Sequence, residues 1–171
     1  MIISVEDVKK HLTTAMDGPV LEEKLLALEL LIRKYTNNNF QNRNFRTIGT
    51  IEDGKLYCDT AIFKKGDTIE INDSKYNEGL YVVSEIDGDV IALPEGINEE
   101  DVLVTKVVYP ADVRMGVVNM LKWDEEKKVG VQSETISRHS VTYFNMDGAN
   151  SSMGYPKSVV GFLKPYMKGR F

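Results

Sequence analysis

Thiols, imidazoles and long apolar runs are all scarce in this chain of 171 residues. Cys58 is the only cysteine, so no internal disulfide can form and a thiolate metal centre would need other ligand types. In the strand-like run KLYCDT it reads as a small, half-buried residue of a reducing compartment. His11 and His139 are the only histidines, which argues against an imidazole-rich metal site. No stretch of about 18 apolar residues occurs, so no membrane span is expected. The start, MIISVEDVKKHL, passes from three apolar residues into a charged helix without the basic opening and long apolar core of a signal peptide. That points to a protein that stays in the cytoplasm where it is made. Neither GxGxxG nor GxxxxGK[ST] occurs, which removes two common phosphate cradles.

What is present is an ordinary globular composition, 42% hydrophobic and 27% charged. The length suits one domain, or a domain carrying a smaller insertion. The net charge of −5 divides unevenly. Residues 50–107 hold 14 acidic and 5 basic side chains, a net of −9, while the flanking stretches are slightly basic. The middle therefore presents a different surface from its flanks.

Periodicity divides the chain at the same places. Ser4 before Val5, Glu6 and Asp7 reads as a helix N-cap with acidic groups at the positive helix end. Asp17-Gly18-Pro19 breaks the chain, and Pro19 suits the first turn of a second helix. There Leu21, Leu25, Leu28, Ile32 and Tyr35 share one face, and Leu26, Leu30 and Leu31 widen it, which predicts burial on more than one side. Asn37, Asn38 and Asn39 end that helix. From Thr47 to Val107 short alternating runs are separated by Asp53-Gly54 and Asp87-Gly88, both hairpin signals, giving about six strands in a compact roll or barrel. A helix resumes at Pro110 with Val113, Val117, Met120 and Leu121 on one face, Trp123 beside it, and Ala111 and Gly116 allowing close approach. A last helix is expected from Pro156 through Val159, Val160, Leu163, Tyr166 and Met167, kinked or ended by Pro165. The expected fold is mainly α: a bundle of about four helices with an inserted small all-β roll or barrel and a long assembly loop, α+β overall. Residues 1–46 and 108–171 form the helical domain and 47–107 the insertion.

The chemical readings are thin. Ser133, Glu134 and His139 lie close together in SETISRHSVTYFNMDGANSSMGYP, but triads are gathered from separate elements and no G-x-S-x-G elbow accompanies them. Asp73, Asn77 and Gly79 fail the calcium-loop pattern, with glycine at the seventh position and Lys75 at a ligand position. No catalytic, metal or cofactor site is expected. Arg43, Arg46, Arg114, Arg138, Lys157, Lys164, Lys168 and Arg170 give the flanks a modest basic balance, which leaves nucleic-acid binding as an alternative. The long polar segment instead reads as an assembly element, since Val141 and Tyr143 alternate as in a strand able to pair with a neighbouring chain.

The order Ser133-Glu134-Thr135-Ile136, then Ser140-Val141-Thr142-Tyr143, then Tyr155-Pro156 leading to Val160 and Leu163-Lys164-Pro165-Tyr166 resembles the C-terminal signature of head-tail connector proteins of tailed bacteriophages and prophages. SVEDVKKHL, the leucine-rich helix ending KYTNNNF, and PADVRMGVVNMLKW resemble that family's first three helices. The likeness spans about two thirds of the chain. Thr47 to Val107 is an addition to the shorter members, and Ser137 stands where members often have glycine. The resemblance implies a non-enzymatic virion protein forming a ring between the portal ring and a tail-side completion or stopper protein. Such a ring closes the head after packaging around the DNA that passes through it. Contacts to neighbour, portal or tail are then expected at Ser133, Glu134, Ile136, Arg138, Val141, Tyr143, Tyr155, Pro156, Lys164, Tyr166 and Arg170. An acidic insertion would repel DNA and belongs on the outer rim.

Overall fold

The computed structural model describes residues 1–126, 133–136, 139–142 and 150–169, the two short middle segments through their backbone pairing alone. The chain divides into two compact units. One comprises Met1–Ile2 with Asn39–Tyr109, the other Ile3–Asn38 with Pro110–Phe171. The expectation of a mainly α bundle is corrected: the structure is 36% helical and 29% strand, and a seven-stranded curled antiparallel sheet forms a half-barrel. Among the described residues only two helices exceed two turns, and they form no four-helix bundle.

The sheet unit contains β1 (Gln41–Glu52), β2 (Lys55–Cys58), β3 (Thr68–Asn72), β4 (Gly79–Val82), β5 (Ile86–Asp87), β6 (Val90–Ala92) and β7 (Glu99–Val107). Their spatial order is β4-β3-β7-β1-β2-β6-β5. Asp53 and Gly54 both take positive φ, 49° and 72°, as a two-residue hairpin turn requires, and Glu52 pairs with Lys55. The second tight turn falls one residue later than expected, on Gly88-Asp89, with Asp87 opposite Val90. Strand β1 starts six residues before Thr47, where the sequence reading placed it. QNRNF hides the strand because Gln41 pairs with Val107 and Arg46 with Thr105, leaving Asn42–Phe45 as a bulge with no alternation to read. Ile51, Leu56, Ile69, Ile71, Ile91, Val102 and Val104 fill the concave core, each at most 1% exposed. Burying each such side chain is worth about 1.5–3 kcal/mol.

The strands approach closely at Gly49, which pairs with Cys58 on one side and Val102 on the other. A Cβ there would lie 2.8 Å from Leu56 Cδ1 and 2.9 Å from the Tyr57 carbonyl oxygen. No side chain fits between strands that approach so closely.

The helical unit contains α1 (Val5–His11), α2 (Gly18–Thr36), α3 (Ala111–Glu126), a hairpin of β8 (Ser133–Ile136) and β9 (His139–Thr142), a short pair β10 (Ser151–Ser152) and β11 (Tyr155–Pro156), and α4 (Lys157–Val160). The Asp7 amide donates to Ser4 Oγ, and the Val20 amide donates to Asp17 Oδ1, so each helix start is capped by its own side chain. Asn37 closes α2 in the left-handed region at φ 49°. Leu21, Leu25, Leu28 and Ile32 are buried as expected, as are Val113, Val117, Met120, Leu121, Val160 and Leu163 of the same unit.

Two helical expectations are corrected. The α2 helix is not buried on two apolar sides: Leu26 and Leu30 are exposed, and Glu29, Arg33 and Thr36 are the residues buried beside the leucine stripe. The last helix stops after Val160 and continues as a 3-10 turn, Gly161–Tyr166, that contains Pro165. Met167 is extended and exposed rather than on an apolar helix face. Gly116 lets Phe162 of that turn lie on α3, since a Cβ at 116 would be 2.3 Å from the ring.

Gly49→Ala should destabilise the protein by about 1–3 kcal/mol, because the obstructing atoms include backbone. Gly161→Ala, with open space around it and a φ of −59°, should be neutral or slightly stabilising. Urea unfolding of the two variants checks both.

Candidate functional site

The residues expected at an interface separate into three groups. Tyr155 and Pro156 are buried inside the helical unit, so they act on its own core. Tyr155 donates its hydroxyl hydrogen to Asp124 Oδ2 at 2.7 Å, and Lys24 Nζ lies 2.6 Å from the same oxygen. The Asp124 side chain is only 6% exposed. One carboxylate therefore joins α2, α3 and β11, and the charge on Lys24 compensates for taking it out of water. Burial, then the hydrogen bond to Asp124, pushes the Tyr155 phenol well above its usual range.

Lys164 and Tyr166 lie on the 3-10 turn. Tyr166 donates to both Asp112 oxygens, at 2.7 and 2.8 Å, and that hydrogen bond raises its phenol pKa. The same segment is tied to the end of α2. Asn38 Nδ2 donates to the Tyr166 carbonyl at 3.1 Å, Asn37 Nδ2 to the Gly169 carbonyl at 2.9 Å, and the Lys168 amide to the Thr36 carbonyl at 2.8 Å. The asparagines that end α2 thus also fasten the C-terminal segment, a role invisible in their local sequence.

Ser133, Glu134 and Ile136 lie on β8, and Val141 on β9. Arg138, Tyr143 and Arg170 lie outside the described residues. The register sets Ser133 opposite Thr142 and His139 opposite Ile136. Ser133 and His139 are therefore three ladder positions apart, about 10 Å along the strand.

The sheet unit holds a site that sequence reading missed. Glu99 accepts from Ser74 Oγ at 2.5 Å, the Lys75 amide at 2.6 Å, the Tyr76 amide at 3.3 Å and Asn77 Nδ2 at 2.8 Å. Those donors, led by Ser74, hold its carboxyl down at about 2. Asn77 in turn donates to the Ile97 carbonyl and accepts from the Ile97 amide, at 2.9 and 2.8 Å. The loop rejected as a calcium site is closed by a carboxylate from the start of β7, and exposed Tyr76 of the loop and Ile97 of the stretch before β7 flank the clamp. On the face of the sheet away from the core, Glu70 accepts from Asn39 Nδ2 and Gln41 Nε2, and Arg46 Nε donates to Thr105 Oγ1. Next to this covered region Ile48 and Tyr57 are exposed. Their parity, opposite to Ile51 and Leu56 in TIGTIE and KLYCDT, is the signal that marks them as outward.

Cys58 is buried, and burial followed by Asp59 and Asp89 pushes its thiol up to about 11, so it stays protonated at neutral pH. Among the described residues no three His, Cys, Asp or Glu side chains gather as a metal site, and no helix is long and apolar enough to cross a membrane. No protein-family model matches the chain, and no curated protein matches it.

Because the Glu99 pKa is lowered from 4.5, the loop gains its support above about pH 4.5 and loses it as pH falls towards 2. NMR should show the Lys75 and Tyr76 amide shifts moving together near pH 2, and Glu99→Gln should abolish that transition and speed exchange of both amides at neutral pH. Tyr155→Phe removes the donor to a buried carboxylate and should cost about 1–3 kcal/mol in urea unfolding.

Proposed function

We propose that this chain is a non-enzymatic structural protein of the tailed-bacteriophage head-tail connector class, forming a ring between portal and tail in the virion. The observation that carries this reading is the apolar surface left over on α2. Leu26 and Leu30, 47% and 55% exposed, stand one turn apart on a capped 19-residue helix whose other face is fully buried. Exposed leucines in such a row suit a helix that completes its packing against another chain. The order of the C-terminal residues supports the same reading, with Tyr155 and Tyr166 fastening that segment to α3 through Asp124 and Asp112. Lys157, Lys164 and Lys168 are exposed on this unit and suit contact with the portal or with DNA in a channel. The acidic sheet unit suits the outer rim, away from that DNA. A ring made by repeating one heterologous contact is the simplest symmetry for such a part.

Interrupting this reading frame in the parent phage or prophage tests the role. Negative-stain microscopy should show separate tails beside heads that are empty or leaking DNA, and intact tailed virions would overturn the reading. Freestanding DNA binding, the alternative, instead requires the isolated protein to bind duplex DNA with an affinity that falls steeply as salt rises.

A further inference from the structure

Past Leu163 none of the described residues is buried. The 3-10 turn itself is bolted to the helical unit. Leu163 is fully buried, Phe162 lies in the space left by Gly116, and Tyr166 donates to both oxygens of Asp112. The Tyr166 carbonyl, held by Asn38 Nδ2, is the last fixed point. From there Met167, extended at φ −67° and ψ 128° and 51% exposed, leads into Lys168 and Gly169, which are exposed as well.

Residues 167–169 are held by two hydrogen bonds to the end of α2: the Lys168 amide donates to the Thr36 carbonyl at 2.8 Å, and Asn37 Nδ2 donates to the Gly169 carbonyl at 2.9 Å. Both engage main-chain atoms of the segment, so neither depends on its side chains. Those side chains are exposed already, and water replaces the partners when the bonds break. The α2 helix does not need the segment either. Thr36 turns its hydroxyl to the Ile32 carbonyl at 2.7 Å, and Asn37, at φ 49°, caps the helix by donating its backbone N–H to the Arg33 carbonyl. The cap uses the Asn37 backbone and the C-terminal segment uses its side chain, so the two roles of this residue can be separated.

We propose that residues 167–169 are a strap that detaches from the end of α2 as a unit, swinging about Met167, while the rest of the helical unit stays folded. Opening frees the Thr36 carbonyl and the Asn37 side-chain amide. It also carries Lys168 away from α2, whereas Lys164, on the bolted turn, stays in place. Openings that break only a few exposed hydrogen bonds lie at the low end of a protein's range of local stabilities. The strap is a property of the folded chain and does not rest on the connector reading.

Amide hydrogen exchange of the full chain, followed by NMR at several urea concentrations below the unfolding transition, tests it. The Lys168 amide should be protected only about ten- to a hundredfold, as two exposed hydrogen bonds allow, and urea should leave its rate unchanged because opening uncovers little surface. The Val117 amide, in the middle of α3 with its side chain fully buried, should be protected about ten-thousandfold or more and should lose protection steadily as urea rises. Asn37→Gly keeps the left-handed cap and removes the donor to Gly169. It should speed Lys168 exchange about fivefold and leave Val117 unchanged. A Lys168 amide as protected as Val117, with the same urea slope, would overturn the proposal, because the segment would then belong to the core. So would a Lys168 amide with no protection, which marks a segment that never docks. An Asn37→Gly variant in which Lys168 exchange is unchanged, or in which Val117 speeds up by the same factor, would overturn it too.

Discussion

The sheet unit depends on one strand being paired along both sides. Strand β1 bonds to β2 on one edge and to β7 on the other, and these are the links between the ribbon β4-β3-β7 and the ribbon β2-β6-β5. Without it two three-stranded pieces would remain, each with little apolar area of its own to bury. Serving two neighbours while the sheet curls demands a position with no side chain, and Gly49 provides it between Cys58 and Val102. The curl brings Ile51, Leu56, Ile69, Ile71 and Ile91 onto one cluster. It also turns Ile48 and Tyr57 outward, so the geometry that closes the core leaves the exposed patch.

The helical unit uses polar joints where a larger protein would use more core. Asp124 holds Lys24 and Tyr155, Asp112 holds Tyr166, and Asn37 and Asn38 hold carbonyls of the C-terminal segment. Each joint connects elements far apart in sequence through groups with definite geometry, which fixes one arrangement more sharply than apolar packing alone. Because these joints lie inside the unit, the leucines at positions 26 and 30 are not needed for its cohesion.

Much of this architecture was legible in the residues, and the failures have physical causes. Caps and turns were readable because their signals are local: Ser4, Asp17, Asn37 and Asp53-Gly54 act on backbone within a few residues. The start of β1 was not, because a four-residue bulge erases alternation, and the 3-10 ending was not, because Leu163 and Tyr166 fit a helix face equally well. The burial of α2 was misjudged for a deeper reason. Periodicity reports how much of a helix is apolar, not whether the covering surface belongs to the same chain. The Glu99 clamp was unreadable because its partners Ser74 to Asn77 lie more than twenty residues away, and a carboxylate among 14 in an acidic block carries no mark of its own.

The misjudgement of α2 is also informative about assembly. A sequence whose pattern asks for more burial than its own fold supplies has either an unfavourable exposed surface or a partner surface that covers it. Leu26 and Leu30 on the helical unit and Ile48 and Tyr57 on the sheet unit share that surplus rather than gathering it on one face.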